Sequence, residues 1–269
     1  MPLPVRLSCG VLGVLALAAV FGPLLPVRNP YAQDLMAALR PPGAPHWLGT
    51  DQLGRDLLAR IVIGSRFSLL IGLGAVAVGL TGGVPFGMVA GFYGGWVDAL
   101  FTRVIDVLLA FPGIILALAV VAVTGPGIGN LTFAVGLRTL PVLARVARGQ
   151  TLALRNREFV DAARALGCRP WEILARHILP NIGGSLVVVA SLQTATAVLI
   201  GATLTFLGVG ASPEIPEWGA MLNAARPYML RYPHLILVPA LTLMVVMMAF
   251  NVAGDYLRDR LDPYASTAS

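Results

Sequence analysis

Leu7 to Val27 lies between Arg6 and Arg28 without a charged residue. At ~1.5 Å per helical residue it can cross a hydrocarbon core of ~30 Å. Apolar runs of this kind recur along the chain, at about Phe67 to Phe92, Val104 to Thr124, Ile128 to Arg148, Ser185 to Leu207 and Leu235 to Gly254. Only 12% of residues are charged, about half the share in a soluble domain. The expectation is an all-α integral membrane protein with six transmembrane helices and both termini cytoplasmic. For the first run a secretory signal peptide is the rival, with Ala16-Leu17-Ala18 as its cleavage site. Apolar residues continue past that point to Leu25, which favours a retained span.

The segments between the spans carry their own signals. Pro41, Pro42 and Pro45 preclude a continuous helix across residues 26–65, and the charges Asp51, Arg55, Asp56 and Arg60 read as a solvated helix face. Glycines crowd the second span, where small residues let membrane helices approach closely. Gly125-Pro126-Gly127 is an uncharged outer turn, and Pro141 is expected to kink the fourth span.

One polar stretch interrupts the pattern, Leu154 to Asn181. It holds Arg155, Arg157, Arg164, Arg169 and Arg176 against Glu158, Asp161 and Glu172. Phe159, Ala162, Ala163 and Leu166 fall at i, i+3, i+4 and i+7, and so do Trp171, Leu174, Ala175 and Ile178. Gly167 ends the first helix, Pro170 opens the second and Pro180 is expected to stop it. The pattern predicts two short amphipathic helices at the membrane surface, with one face offered to another molecule. The arginines put this loop on the cytoplasmic side, which explains the pI near 10 without nucleic acid. Arg28, Arg40, Arg55 and Arg60 then lie outside, a strain that the central loop outweighs.

All 19 basic residues are arginine. A Walker A loop needs a lysine to reach the nucleotide phosphates, so this chain does not hydrolyse ATP through a P-loop. Cys9 and Cys168 are the only cysteines; both are expected on the cytoplasmic side, where disulfides are rare.

Asp161-Ala162-Ala163, Gly167 and Leu179-Pro180 resemble the EAA loop of ABC importer permeases, with Asp161 where Glu is usual and His177 where an apolar residue is usual. Three further stretches resemble the C-type subunits of the dipeptide, oligopeptide and nickel class: the segment from His46 to Gly74, Thr205 to Leu222, and Asn251 to Tyr264. The resemblance implies the type I ABC importer permease fold. Residues 1–64 would hold the first span and an external segment, residues 65–255 the permease core, and residues 256–269 a cytoplasmic tail. It further implies a bacterial inner-membrane complex, driven by alternating access, with a second homologous permease, two ATP-binding subunits or one fused ATPase, and an extracytoplasmic solute-binding protein. No cofactor is expected in this chain, ATP and Mg²⁺ being held by the ATPase subunits. Coupling to the ATPase would fall to Glu158, Asp161, Ala162, Ala163, Gly167, Trp171, Leu174, Ile178, Leu179 and Pro180. Glu214, Glu217 and Trp218 would meet the solute-binding protein.

No nucleophile and base converge in the sequence, which argues against a membrane-embedded enzyme. An ion-coupled transporter would need intramembrane acids, and only Asp106 is available. Arg138 stands about 15 Å into its span, counted from Ile128. An ionised group at that depth needs water, protein or a partner. It faces either the translocation path or an acid of another subunit, while Arg145 or Arg148 suits Asp106. Gln193, Thr196 and Thr203 share one helix face, and either line a polar path or bond between helices.

Overall fold

The computed structural model describes residues 2–25 and 28–261. Each expected span falls on helix, and the described residues hold no β-strand beyond two isolated bridges, Gly43 with His46 and Thr50 with Asp56. In chain order the helices are α1 (Leu3–Phe21), α2 (Leu57–Val78), α3 (Val84–Tyr93), α4 (Gly95–Ala110), α5 (Gly113–Thr124), α6 (Ile128–Leu154), α7 (Glu158–Ala165), α8 (Pro170–Glu172), α9 (Leu179–Phe206), α10 (Trp218–Ala225) and α11 (His234–Leu261).

Two of these boundaries are turns of wider π geometry inside one continuous helix. Gly79–Gly83 joins α2 to α3, and Ile173–Ile178 joins α8 to α9. In both, a proline follows two residues later, Pro85 and Pro180. A proline cannot donate to the carbonyl four residues back, and a local π adjustment re-pairs the freed groups. At the second turn the Asn181 side-chain amide donates to His177 O at 2.6 Å. Pro180 therefore does not stop the helix: the expected second amphipathic helix is the beginning of the fifth span, and Pro170–Phe206 runs unbroken.

Leu3–Leu24, Leu57–Tyr93, Pro170–Phe206 and His234–Leu261 are each long and apolar enough to cross a membrane. The expected third span is broken instead. Helices α4 and α5 meet at 90° across Phe111-Pro112, because the residue before a proline is pushed out of the helical region; taken as one span, the pair joins those four among the described residues. Helix α6 is 27 residues long, ample for a crossing, and is more polar than the other spans through Arg138, Arg145 and Arg148. Pro141 lies within α6 and is buried.

Backbone-to-backbone packing sets the centre of the molecule. A Cβ added at Gly83, Gly87 or Gly91 would lie 2.5, 2.0 and 2.7 Å from Leu140 O, Ala144 O and Arg148 O. This i, i+4, i+8 row lets α3 lie directly on α6, the close approach that small residues permit in membranes. Three buried clusters follow: one under the segment between α1 and α2 around Trp218 and Leu243, one among α2, α5, α6 and α9, and one beneath the polar elbow around Leu143 and Ile182.

Candidate functional site: the polar elbow, the membrane charges and the external cap

Helix α7 ends in a Schellman arrangement. Gly167 takes φ +81°, its N–H bonds Arg164 O at 2.9 Å, and Cys168 N–H bonds Ala163 O at 3.1 Å. Glu172 then reaches back to Arg169 N–H at 2.8 Å, capping the next helix. Arg155 at the end of α6 donates to Gly91 O at 3.2 Å, and Arg164 pairs with Asp161 at 2.9 Å while lying 5.4 Å from the centre of the Phe92 ring. The elbow is thus held at each end.

Its apolar residues divide between two faces. Val160, Ala163, Ile173 and Ile178 are buried against Val84, Met88, Leu143 and Ala147. Of the residues expected to couple, Ala163 and Ile178 face their own chain, and the i, i+3 row at 160 and 163 forms the inward stripe. Leu174 is half-buried, while Glu158, Asp161, Ala162, Gly167, Trp171, Leu179 and Pro180 are exposed. Leu166 is 85% exposed and Trp171 57%, large apolar side chains left open on a charged loop. Beside Trp171 an apolar groove of about 390 Å³ runs between Val84, Pro85 and Met88 on one side and Leu174 and Leu179 on the other.

Among the membrane charges, Arg145 meets Asp106 at 2.9 Å, and Arg148 holds Asp98 in a forked pair whose Nη2–Oδ2 leg is 2.7 Å. The Nη1 of Arg138 is buried and has no hydrogen-bond partner among the described residues, and neither has Gln193 Oε1. Thr196 and Thr203 do not bond between helices: their hydroxyls donate to Leu192 O and Leu199 O at 3.2 and 2.8 Å, one turn back on their own helix.

Residues 28–56 form a cap in which Arg28, Asp34 and Arg40 are exposed and Asp51, Arg55 and Asp56 are internal. Asp51 accepts from Arg55 Nε at 2.6 Å and from the N–H groups of Leu53 and Arg55 at 2.9 Å. Arg60 stands 3.6 Å from the same carboxylate and donates to Pro30 O and Glu214 O at 3.2 and 3.5 Å. Asp56 caps α2 through Ala59 N–H and takes His46 Nδ1 at 2.8 Å. All four charges expected on a solvated face are buried, because the chain supplies their partners from three directions.

Glu217 and Trp218, expected to meet a partner, are 1% and 0% exposed. Glu217 caps α10 through Ala220 N–H at 2.9 Å and accepts from Ser68 at 3.2 Å, and Trp218 Nε1 donates to Ile61 O at 3.2 Å. Burial pushes the Glu217 carboxyl above the ordinary carboxylate range, against the downward pull of the Gly219 and Ala220 N–H groups and the Ser68 hydroxyl. These two residues bind the loop between α9 and α10 to α2; of the three, only Glu214 is exposed.

A helical membrane chain without a nucleotide loop, with a rigid elbow that leaves large apolar side chains open, is a transport subunit built to dock on others. Residues 83–266 match the family described as binding-protein-dependent transport system inner membrane component, and the chain belongs to it. It is 47% identical over 222 residues to the glutathione transport system permease protein GsiD of Pectobacterium atrosepticum, covering 82% of this chain and 74% of that one. It is 42% identical over 247 residues to the dipeptide transport system permease protein DppC of Alkalihalophilus pseudofirmus, covering 92% and 81%. Among solved structures, an inward-facing form of the MetNI methionine ABC transporter superposes with a TM-score of 0.64 at 18% identity, over 77% of this chain and 98% of that one. The fold is the type I ABC importer permease fold. The chain is a permease subunit of an ATP-driven importer of the dipeptide and oligopeptide class, a multi-pass inner-membrane protein that works with ATPase and substrate-binding subunits.

Proposed function

We propose that this permease carries small carboxylate-bearing peptides, of the size of glutathione or a dipeptide, toward the cytoplasm. Relatives at 42–48% identity that are glutathione and dipeptide transport system permeases support that solute class. The second half of the pore is a homologous permease chain, and the motor is a pair of ATP-binding subunits or one fused ATPase. ATP and Mg²⁺ bind there, and this chain holds no cofactor of its own. Both termini are cytoplasmic, with residues 1–64, 65–255 and 256–269 as anchor and cap, core, and tail; residues 262–269 lie outside the described residues.

The observation that carries the coupling role is the open apolar face of a rigid elbow. Ala162, Leu166, Trp171 and Leu179 meet the ATPase, flanked by Glu158, Asp161, Gly167 and Pro180, while Ala163, Leu174 and Ile178 transmit the push into the core beneath. Leu166 joins the expected set because of its exposure. Because Pro170–Phe206 is one continuous helix, movement of the elbow moves the fifth span, and the bundle alternates between outward- and inward-open states. Arg138, Gln193, Thr196 and Thr203 belong to the path. Glu214 belongs to the face that receives the solute-binding protein, with Glu217 and Trp218 supporting it from behind. Reconstituted with its partner subunits, the complex accumulates glutathione or a dipeptide with ATP and not with ADP; equal accumulation with both nucleotides overturns the reading.

A further inference from the structure

Arg138 on α6 and Gln193 on α9 each continue an apolar row that packs into the same buried cluster. On α6, Leu131, Ala134, Val135 and Arg138 fall at i, i+3, i+4 and i+7, one face. On α9, Gln193, Ala197, Ile200 and Leu204 fall at i, i+4, i+7 and i+11, again one face. Every apolar member of both rows belongs to a single buried cluster, shared with Ala117 and Val121 of α5. Arg138 and Gln193 are the next residues on those faces, past the same end of the cluster.

The bend of the third span lies at that point. A Cβ added at Gly113, the first residue of α5, would stand 2.6 Å from Arg138 Nε and 2.8 Å from its Cγ. The arginine stem fits because residue 113 has no side chain, and the 90° turn carries α4 away from it. Arg138 Nη1 and Gln193 Oε1 are both buried and unpartnered, a cationic donor and a neutral acceptor. Buried polar groups are nearly always paired, so each requires a partner from outside this set. Neither acid of the third span is available: Asp106 is held by Arg145 and Asp98 by Arg148. A carboxylate from a neighbouring subunit would satisfy the arginine but would present another acceptor to the Gln193 oxygen. The end of a peptide brings a carboxylate and an adjacent N–H on one molecule.

We propose that Arg138 and Gln193 form a solute subsite in the translocation path, the guanidinium taking the terminal carboxylate of a peptide and the amide oxygen taking the neighbouring N–H. This rests on the importer reading. Gly113 is a positioning residue for the arginine.

The test uses the complete purified complex, with a dipeptide and its C-terminally amidated form as probes. Two readouts separate the subsite from the importer reading: ATP-driven uptake in proteoliposomes, and the rise in melting temperature of the complex with each probe. Uptake is expressed as the ratio of variant to wild type for each probe, so selectivity of the solute-binding protein cancels. Losing one charge-assisted pair is expected to lower free-acid uptake about tenfold in Arg138→Gln, with amide uptake within about twofold. The extra melting shift given by the acid over the amide disappears. Gln193→Leu lowers uptake of both probes alike, and Gly113→Ala reproduces the acid-selective loss. Equal loss of both probes in Arg138→Gln overturns the subsite. So does failure of that variant to assemble, which would mark a pairing with a partner's acid, and so does a wild-type complex whose melting does not distinguish acid from amide. If the wild type accumulates neither probe while its melting still distinguishes them, the importer reading for these solutes falls and the subsite stands.

Discussion

Arg60→Met removes a cation from the base of the external cap while keeping an apolar stem of similar reach. Arg60 is 1% exposed, and its Nη1 serves both Pro30 O and Glu214 O, tying together two segments far apart in sequence. Removing a partner from a buried ion pair costs about 3–5 kcal/mol when it strands the other charge. Here Asp51 is not stranded: Arg55 stays at 2.6 Å and two N–H donors remain at 2.9 Å. What is lost is the pairing of two carbonyls, at about 1–3 kcal/mol each, so roughly 3 kcal/mol is expected, about a hundredfold in an equilibrium. Hydrogen exchange on the assembled complex reads it. The amides of Asp34, bonded to Leu53 O, and Ile215, bonded to Ser212 O, exchange about a hundredfold faster in the variant, while amides in α11 do not change. Asp51→Asn, which leaves both arginines without a carboxylate, has the larger effect. Unchanged exchange at Asp34 and Ile215 in Arg60→Met refutes the reasoning that the buried charge fastens the cap.

Two further outcomes are expected. Because burial raises the Glu217 carboxyl in the folded state, its contribution to stability is complete below the ordinary carboxyl range and is lost as pH climbs through the raised value. Thermal unfolding of the complex should show that decline in the wild type and not in Glu217→Gln, which keeps the acceptor for Ala220 N–H; parallel profiles contradict it. For orientation, a cysteine at exposed Ser212 reacts with an impermeant thiol reagent in intact cells and half-buried Cys168 does not, whereas the reverse pattern inverts the topology.

The apolar runs, the Gly167 turn and the Pro170 helix start were legible because each is set by residues adjacent in sequence. The bend at Phe111-Pro112 had the same kind of local signal, yet an apolar run on both sides hid it. Pro180 misled because a proline breaks an α-helix locally, while the π turn at Ile173–Ile178 had already redistributed the carbonyls. The largest gap was the cap. Whether Arg60 is solvated or buried depends on Pro30, thirty residues before it, and on Glu214, far after it. Glu217 and Trp218 were misplaced for the same reason, since their partners Ser68 and Ile61 sit on a distant helix. A polar residue's own neighbours in sequence do not report who satisfies it.

The central claim is that residues 158–180 couple this permease to its ATPase through side chains open to the cytoplasm. Leu166→Asp tests it most directly, because Leu166 is 85% exposed and touches no buried cluster, so the chain itself folds and inserts unchanged. Docking through the elbow predicts that ATPase subunits no longer co-purify with the variant in stoichiometric amount and that ATP-driven uptake falls at least tenfold. A variant that retains its ATPase subunits and transports at the wild-type rate would contradict it.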